Sequence, residues 1–111
     1  MDIKSKIWIE VGGEPVFGRG REALLKAIDR LGSINSAAKE IDLSYRRALS
    51  YIQVMEERLG VELVKRKAGG KNGGGAKLTK NATAFLKKYE KLEHGINEML
   101  DKRFIEVFGR E

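Results

Sequence analysis

Six cationic side chains and no acidic one lie in the sixteen residues from Lys65 to Lys80. They are Lys65, Arg66, Lys67, Lys71, Lys77 and Lys80. The chain of 111 residues has a formal net charge of +6, so the charges of all its other residues balance to zero. Five of the thirteen glycines also lie in this segment. Concentrated positive charge on an otherwise neutral protein is typical of polyanion binding, and nucleic acid is the first such partner to consider.

A second group of polar side chains begins a predicted helix near residue 44. Arginine can form two hydrogen bonds to guanine, and tyrosine offers a hydroxyl group for a phosphate and a ring for a thymine methyl group. The pattern predicts contacts to DNA bases, although solvation of a helix surface is the alternative role for two adjacent arginines. The candidate residues are Ser44, Tyr45, Arg46, Arg47 and Ser50.

Hydrophobic periodicity predicts the elements that would hold these residues. Two short strands are expected within residues 6–18, and three helices are expected within residues 21–59. Gly32 and Gly60 would end the first and third helices, while Ser33 and Ser44 would cap the second and third through their hydroxyl groups. The expected apolar side of the third helix comprises Ala48, Ile52, Met55 and Leu59, with Leu49 beside it.

The rest of the chain predicts a hairpin and a long helix. Two apolar-alternating segments enclose the cationic, glycine-rich stretch, which predicts a β-hairpin over residues 61–78, here called the wing. A helix over about residues 79–103 follows it. Five apolar residues in this helix are spaced 4-3-4-3, which is the period of a coiled-coil seam, and they predict a homodimer interface. They are Phe85, Tyr89, Leu92, Ile96 and Met99.

This order of elements is that of a winged helix-turn-helix, in one domain over residues 1–111. The fold class is therefore mainly α with a small β component, with a long C-terminal dimerisation helix. In this geometry the third helix enters the DNA major groove. Glycines let the wing backbone approach the DNA backbone or minor groove, where its cations would bind phosphates, although its charge could simply keep a hairpin tip soluble. The wing candidates are Lys65, Arg66, Lys67, Lys71, Asn72 and Lys77.

Catalytic chemistry finds no support in the sequence. His94 is the only histidine, and the chain has no cysteine. Glu56 and Glu57 are adjacent on a helix, so they point in different directions and cannot act as a pair. The segment Gly18–Ala23 matches the GxGxxA pattern of a dinucleotide-binding fingerprint. That fingerprint requires a parallel strand after its helix, whereas this sequence predicts a second helix there. We therefore predict no enzyme activity, no cofactor and no metal site.

Location is predicted from what the chain lacks. No apolar run approaches the roughly 18 residues that a membrane helix needs. The first eleven residues lack the apolar segment of a secretory signal, and the absence of cysteine is consistent with a reducing compartment. These features lead us to expect a cytoplasmic protein.

The segment ALLKAIDRLGSINSAAKEIDLSYRRALSYI, followed by GGKNGGGAKLT, resembles the N-terminal DNA-binding domain of the ModE-type molybdate-dependent regulators. LGVELVKR followed by LT also resembles the more distant LysR-type winged helix. The resemblance implies a homodimer joined by the fourth helix and the N-terminal strands, with Ser44, Tyr45, Arg46 and Ser50 facing the major groove. It also implies a phosphate contact by Ser33. Members that respond to molybdate carry a separate C-terminal oxyanion module, so we expect no molybdate site within these residues.

The expected function is that of a sequence-specific, homodimeric regulator of transcription that binds double-stranded DNA. Two alternatives use the same residues differently. One is a non-specific architectural protein that binds DNA or RNA through the basic wing. The other is an interaction subunit that recruits a separate sensor through its long helix.

Overall fold

The computed structural model describes residues 1–67 and 75–109, and this part of the chain is mainly helical with two small β-hairpins. The fold class predicted from sequence, a winged helix-turn-helix with a long C-terminal helix, is confirmed. The elements are β1 (Ile9–Val11), β2 (Glu14–Phe17), α1 (Arg19–Leu31), α2 (Ile34–Glu40), α3 (Tyr45–Leu59), β3 (Val64–Lys67), β4 (Gly75–Leu78) and α4 (Lys80–Phe108).

The first hairpin pairs β1 with β2 in antiparallel register, with Val11 opposite Glu14. Gly12 and Gly13 form its turn with φ values of 60° and 82°, a conformation that suits glycine because it lacks a Cβ atom. Helix α1 follows this hairpin and leads directly into α2. The Gly18–Ala23 segment therefore lies between β2 and two consecutive helices and not in a βαβ unit.

One hydrophobic core joins the first hairpin, the helix-turn-helix and the start of α4. The Phe17 ring lies edge-on to Phe85 at 4.8 Å and to Tyr89 at 4.9 Å between ring centres. Ala37 and Ala38 are fully buried, and their small side chains let α2 approach its neighbours closely. The largest fully buried side chains are Tyr89, Phe17, Leu24, Leu25, Ile28, Met55, Leu63 and Val16.

Two elements have bounds that differ from those predicted. Helix α4 continues to Phe108 instead of ending near residue 103, and Phe108 packs on Phe104 one turn earlier at 5.1 Å between ring centres. Gly109, with φ of 80°, then follows the helix. The first wing strand begins at Val64, later than the predicted position 61, because its register pairs Val64 with Leu78.

Helix α4 has 29 residues, so it is about 43 Å long at 1.5 Å per residue. Its buried residues are Ala82, Leu86 and Tyr89, all in its N-terminal half. The protein is correspondingly elongated, with extents of 58 × 29 × 22 Å. Among the described residues, no helix has both the length and the apolar character required to cross a membrane.

Candidate nucleic-acid interface

The start of α3 is positioned by a short turn and a side-chain cap. Asp42 has φ of 62°, a left-handed conformation that aspartate tolerates, and the amide of Leu43 donates to the carbonyl of Ala38 at 2.8 Å. The Ser44 hydroxyl then accepts a hydrogen bond from the amide of Arg47 at 3.1 Å. This cap satisfies one of the free amides of the first turn and sets where α3 begins.

The five candidate residues at the start of α3 are all exposed. At 3.6 residues per turn, Arg46 and Ser50 lie opposite the buried side formed by Ala48 and Ile52. The other candidates lie to either side of this exposed line. Tyr45 lies on the side that faces the wing, here called the wing flank, and Arg47 lies on the side that faces α1, here called the α1 flank.

On the wing flank, side chains of α3 bond to the wing. The Arg66 guanidinium donates from Nη1 to the Tyr45 hydroxyl at 3.2 Å. The Glu56 carboxylate accepts from the amides of Leu63 and Val64 at 2.7 and 3.2 Å. A groove of about 610 Å³ runs between these elements. The described strands of the wing are therefore bonded to both ends of this side of α3.

The base of the wing is also bonded to the body of the domain. The amide of Ala76 donates to the carbonyl of Gly32 at 2.9 Å, and the amide of Thr79 donates to the carbonyl of Leu63 at 2.9 Å. A Cβ atom on Gly75 would lie 3.4 Å from the Gly32 carbonyl oxygen, so a larger side chain would crowd this contact. These bonds set the direction in which the wing leaves the domain.

The described strands of the wing present a cationic surface. Lys65, Arg66, Lys67 and Lys77 are all exposed. Lys65 lies directly opposite Lys77 in the ladder, and like charges in this position repel each other. A bound polyanion would relieve this repulsion. Lys71 and Asn72, the other two wing candidates, lie outside the described residues.

Ser33, the predicted phosphate contact, caps α2. Its hydroxyl accepts from the amide of Ser36 at 3.1 Å, and its side chain is half-buried beside the groove between α3 and the wing. Because the hydroxyl oxygen already accepts this bond, Ser33 would bind a phosphate by donating its hydroxyl hydrogen.

The α1 flank contains two residues that were not among the candidates. The Arg21 guanidinium lies over the Tyr51 ring, 4.7 Å from its centre, and Arg47 donates from Nη2 to the Tyr51 hydroxyl at 3.0 Å. The spacing of Arg47 and Tyr51, four residues apart on one helix, was a usable signal in the sequence. Nothing local to Arg21 predicts its position, because this contact joins the start of α1 to α3, which lies 30 positions later in the chain at Tyr51.

The structure divides the residues of the predicted dimer seam into a buried and an exposed group. Tyr89 is 1% exposed, and its hydroxyl donates to the carbonyl of Ile7 at 3.0 Å. Burial raises the pKa of this hydroxyl, and the nearby Glu93 and Glu22 carboxylates raise it further. Tyr89 thus belongs to the core of its own chain and leaves no surface for a partner. Phe85 is half-buried and packs against Phe17.

The remaining seam residues form an exposed stripe on α4, namely Leu92, Ile96 and Met99. Leu92 is 48% exposed and Met99 is 62% exposed, whereas Ile96 is half-buried.

Within residues 1–67 and 75–109, no group of three or more His, Cys, Asp or Glu side chains could hold a metal ion. His94 is exposed and lies 3.1 Å from Glu98.

The contact between Glu56 and the wing is expected to contribute to stability. Replacing Glu56 with alanine leaves two backbone amides without their acceptor, so the free energy of unfolding should fall by about 1–3 kcal/mol. Urea denaturation measures this change. Glu57→Ala is the matched control, since Glu57 is exposed on the same helix and should change stability by less than about 0.5 kcal/mol. Equal losses in the two variants would contradict the assigned role.

Comparison with known proteins identifies the family. The model of the LysR family of bacterial regulatory helix-turn-helix proteins matches residues 23–83, which is more than half of the chain. The molybdenum-pterin-binding protein MopB of Rhodobacter capsulatus is 42% identical over 84 residues, which are 76% of this chain and 31% of that protein. The transcriptional regulator ModE of Haemophilus influenzae is 44% identical over 73 residues, which are 66% of this chain and 29% of that protein. The chain thus spans about a third of the length of these relatives.

Solved structures agree on the fold. The crystal structure of the CbnR_DBD–DNA complex has a TM-score of 0.57 and 22% sequence identity, and the match covers 78% of this chain and 94% of that chain. The resemblance to ModE-type and LysR-type regulators that the sequence predicts is confirmed by these matches. The chain belongs to the LysR family of bacterial regulatory helix-turn-helix proteins.

Proposed function

We propose that this DNA-binding regulator acts as a homodimer that recognises a specific DNA sequence and controls transcription. Helix α3 would enter the major groove, and the wing would follow the DNA backbone or minor groove. The observation that carries this proposal is the exposed line of Arg46 and Ser50, which lies beside a cationic wing bonded to the same helix. No enzyme activity is assigned, because the matched family consists of regulatory proteins.

The proposal divides the work between two sets of residues. Arg46 and Ser50 would contact base edges, with Tyr45 and Ser44 beside them, because they lie on the exposed first turns of α3. Ser33 and the wing candidates would contact phosphates, and these contacts carry affinity without sequence information. Two copies would present their α3 helices to half-sites about 34 Å apart, one turn of the DNA.

Variants at Arg46 and Lys77 are expected to separate these roles. Arg46→Ala should weaken binding to the selected sequence by about 10–100-fold and random DNA much less, because a bidentate base contact contributes about 1–3 kcal/mol of discrimination. Lys77→Ala should weaken all duplexes similarly. Binding is measured on the best sequence selected from random duplexes and on a scrambled duplex. Equal losses on both duplexes from both variants would contradict the division.

The selection itself tests the function. Enrichment of a two-fold symmetric motif is expected. Binding without any enriched motif would favour the non-specific architectural or RNA-binding alternative. Absence of DNA binding at low salt, together with a co-purifying protein, would favour the interaction subunit.

The proposed place of action is the cytoplasm, where bacterial DNA lies. We place no molybdate or similar oxyanion site within this chain, although its relatives include a protein named for molybdenum-pterin binding. DNA recovered with the protein from cells grown with and without molybdate would test this assignment. If molybdate also changes which DNA sites the purified protein binds, the assignment is wrong.

A further inference from the structure

The cations of α1 differ in whether a carboxylate neutralises them. Arg19 lies 3.3 Å from Glu93, and Lys26 lies 2.7 Å from Glu90. Arg30 forms a two-bond pair with Glu40. Arg21 is the exception, because no carboxylate pairs with it anywhere in residues 1–67 and 75–109. Its charge is therefore not neutralised by any side chain in these residues.

Arg21 and Arg47 both contact Tyr51. The guanidinium carbons of Arg21 and Arg47 lie 4.7 and 5.8 Å from the centre of the Tyr51 ring. Arg47 also lacks a carboxylate partner in the described parts of the chain. The two guanidinium groups repel each other because both are positively charged. An anion that binds both groups would offset this repulsion.

Tyr51 holds these two side chains in place without neutralising them. Its ring packs against the Arg21 guanidinium, and its hydroxyl accepts from Arg47 at 3.0 Å. The Arg21 Nε atom is buried and has no hydrogen-bond partner, so the donors that remain for a ligand are on its terminal nitrogens. Because Tyr51 already restricts both arginine side chains, binding a ligand costs less side-chain conformational entropy.

The position of this cluster relative to the wing indicates its ligand. The wing bonds to one flank of α3 through Arg66, and Arg21 and Arg47 contact Tyr51 on the other flank. A duplex whose major groove receives the exposed line of α3 has a phosphate backbone on each side of that groove. The wing would meet one backbone, and the α1 flank would meet the other.

We propose that Arg21 and Arg47, positioned by Tyr51, form a second phosphate-binding site for the DNA backbone on the flank of α3 opposite the wing. This inference rests on the proposed function, since it requires that α3 enters the major groove. It also assigns Arg47 to the backbone, whereas the sequence predicted that it contacts bases. Guanidinium groups suit this site because their planar donors match phosphate oxygens.

Arg21→Gln is the first test, by titration with the selected duplex and a scrambled duplex at several salt concentrations. Affinity should fall about tenfold on both duplexes, because a phosphate contact carries no sequence information. The slope of log affinity against log salt should decrease by about 1 for each protomer bound. Arg21→Lys should retain this slope while losing affinity, because it keeps the charge but not the planar stack.

Tyr51→Leu tests the positioning role, because it changes no charge. Its salt slope is expected to decrease as well, since neither arginine would be held towards the backbone. An unchanged slope would overturn the role of Tyr51. If thermal unfolding shows that Arg21→Gln does not fold, Arg47→Gln replaces it, because Arg47 is exposed. Its affinity and salt slope are then measured in the same way.

Lys91→Gln is the matched control, since it removes one exposed cation from α4, outside the proposed interface. It should leave affinity and slope near those of the unaltered protein. If the unaltered protein does not bind DNA, the proposed function fails. If it binds, and Arg21→Gln and Arg47→Gln bind with the same affinity and slope as Lys91→Gln, only the second phosphate site fails.

Discussion

DNA affinity is expected to fall about 10³–10⁵-fold when salt rises from about 50 to 200 mM, if a dimer neutralises about 6–10 phosphates. Each neutralised phosphate releases condensed counterions, and added salt opposes that release. The described interface offers enough cations for this number of contacts in two protomers. They are Arg21, Arg47, Lys65, Arg66, Lys67 and Lys77.

Two triple variants test whether the wing carries this salt dependence. Replacing Lys65, Lys67 and Lys77 with glutamine removes six cations from a dimer, so the slope should decrease by about 5. The control replaces three exposed lysines of α4 with glutamine and removes the same net charge; these are Lys87, Lys88 and Lys91. If the wing lysines contact the DNA directly, the salt slope should change much less in the control. Equal slopes in the two variants would mean that net charge, not the wing, attracts the DNA.

If α4 joins two copies as proposed, disruption of the exposed stripe on α4 is expected to convert the dimer to monomers and weaken binding to a two-half-site duplex by about 10²–10⁴-fold. The variant is Leu92→Glu with Met99→Glu, at positions that are 48% and 62% exposed. A carboxylate in an apolar helix contact would lose its hydration without gaining a partner. Loss of the dimer removes the effective concentration that the first bound half-site gives to the second.

Light scattering and titration of duplexes with one or two half-sites measure this effect. Affinity for a single half-site should be unchanged, because Leu92 and Met99 lie on α4, outside α3 and the wing. Lys91→Gln with Lys102→Gln is the control, since it changes the charge of α4 by the same amount at exposed positions off the stripe. A Leu92→Glu, Met99→Glu protein that remains dimeric would show that the dimer forms through another surface.

The helix-turn-helix could be predicted because its signals are local. Ser33 and Ser44 accept hydrogen bonds from amides three residues later, as their positions predicted. Gly32 and Gly60 adopt φ values of 70° and 71° at the ends of α1 and α3. Caps and terminal glycines act within one turn of a helix, so neighbouring residues suffice to indicate them.

The extent of the dimer seam could not be predicted from the same local pattern. Spacing alone places Tyr89 and Leu92 on one stripe of α4. However, Phe17 and the backbone of Ile7 pack over Tyr89, while Leu92 remains exposed. Which part of an apolar stripe is covered depends on elements distant in the sequence. The periodicity of α4 therefore predicts an apolar face but not the partner of each residue on that face.

The sequence by itself determined the winged helix-turn-helix, the exposed start of α3 and the location of the basic wing, because periodicity, caps and charge are properties of neighbouring residues. The tertiary structure alone decided which side chains meet on each flank of α3. Arg66 bonds Tyr45 across 21 positions, and Arg21 of α1 lies over the Tyr51 ring of α3. Such contacts follow from how the helices pack around Phe17 and the buried alanines of α2, and that packing involves residues far apart in the chain.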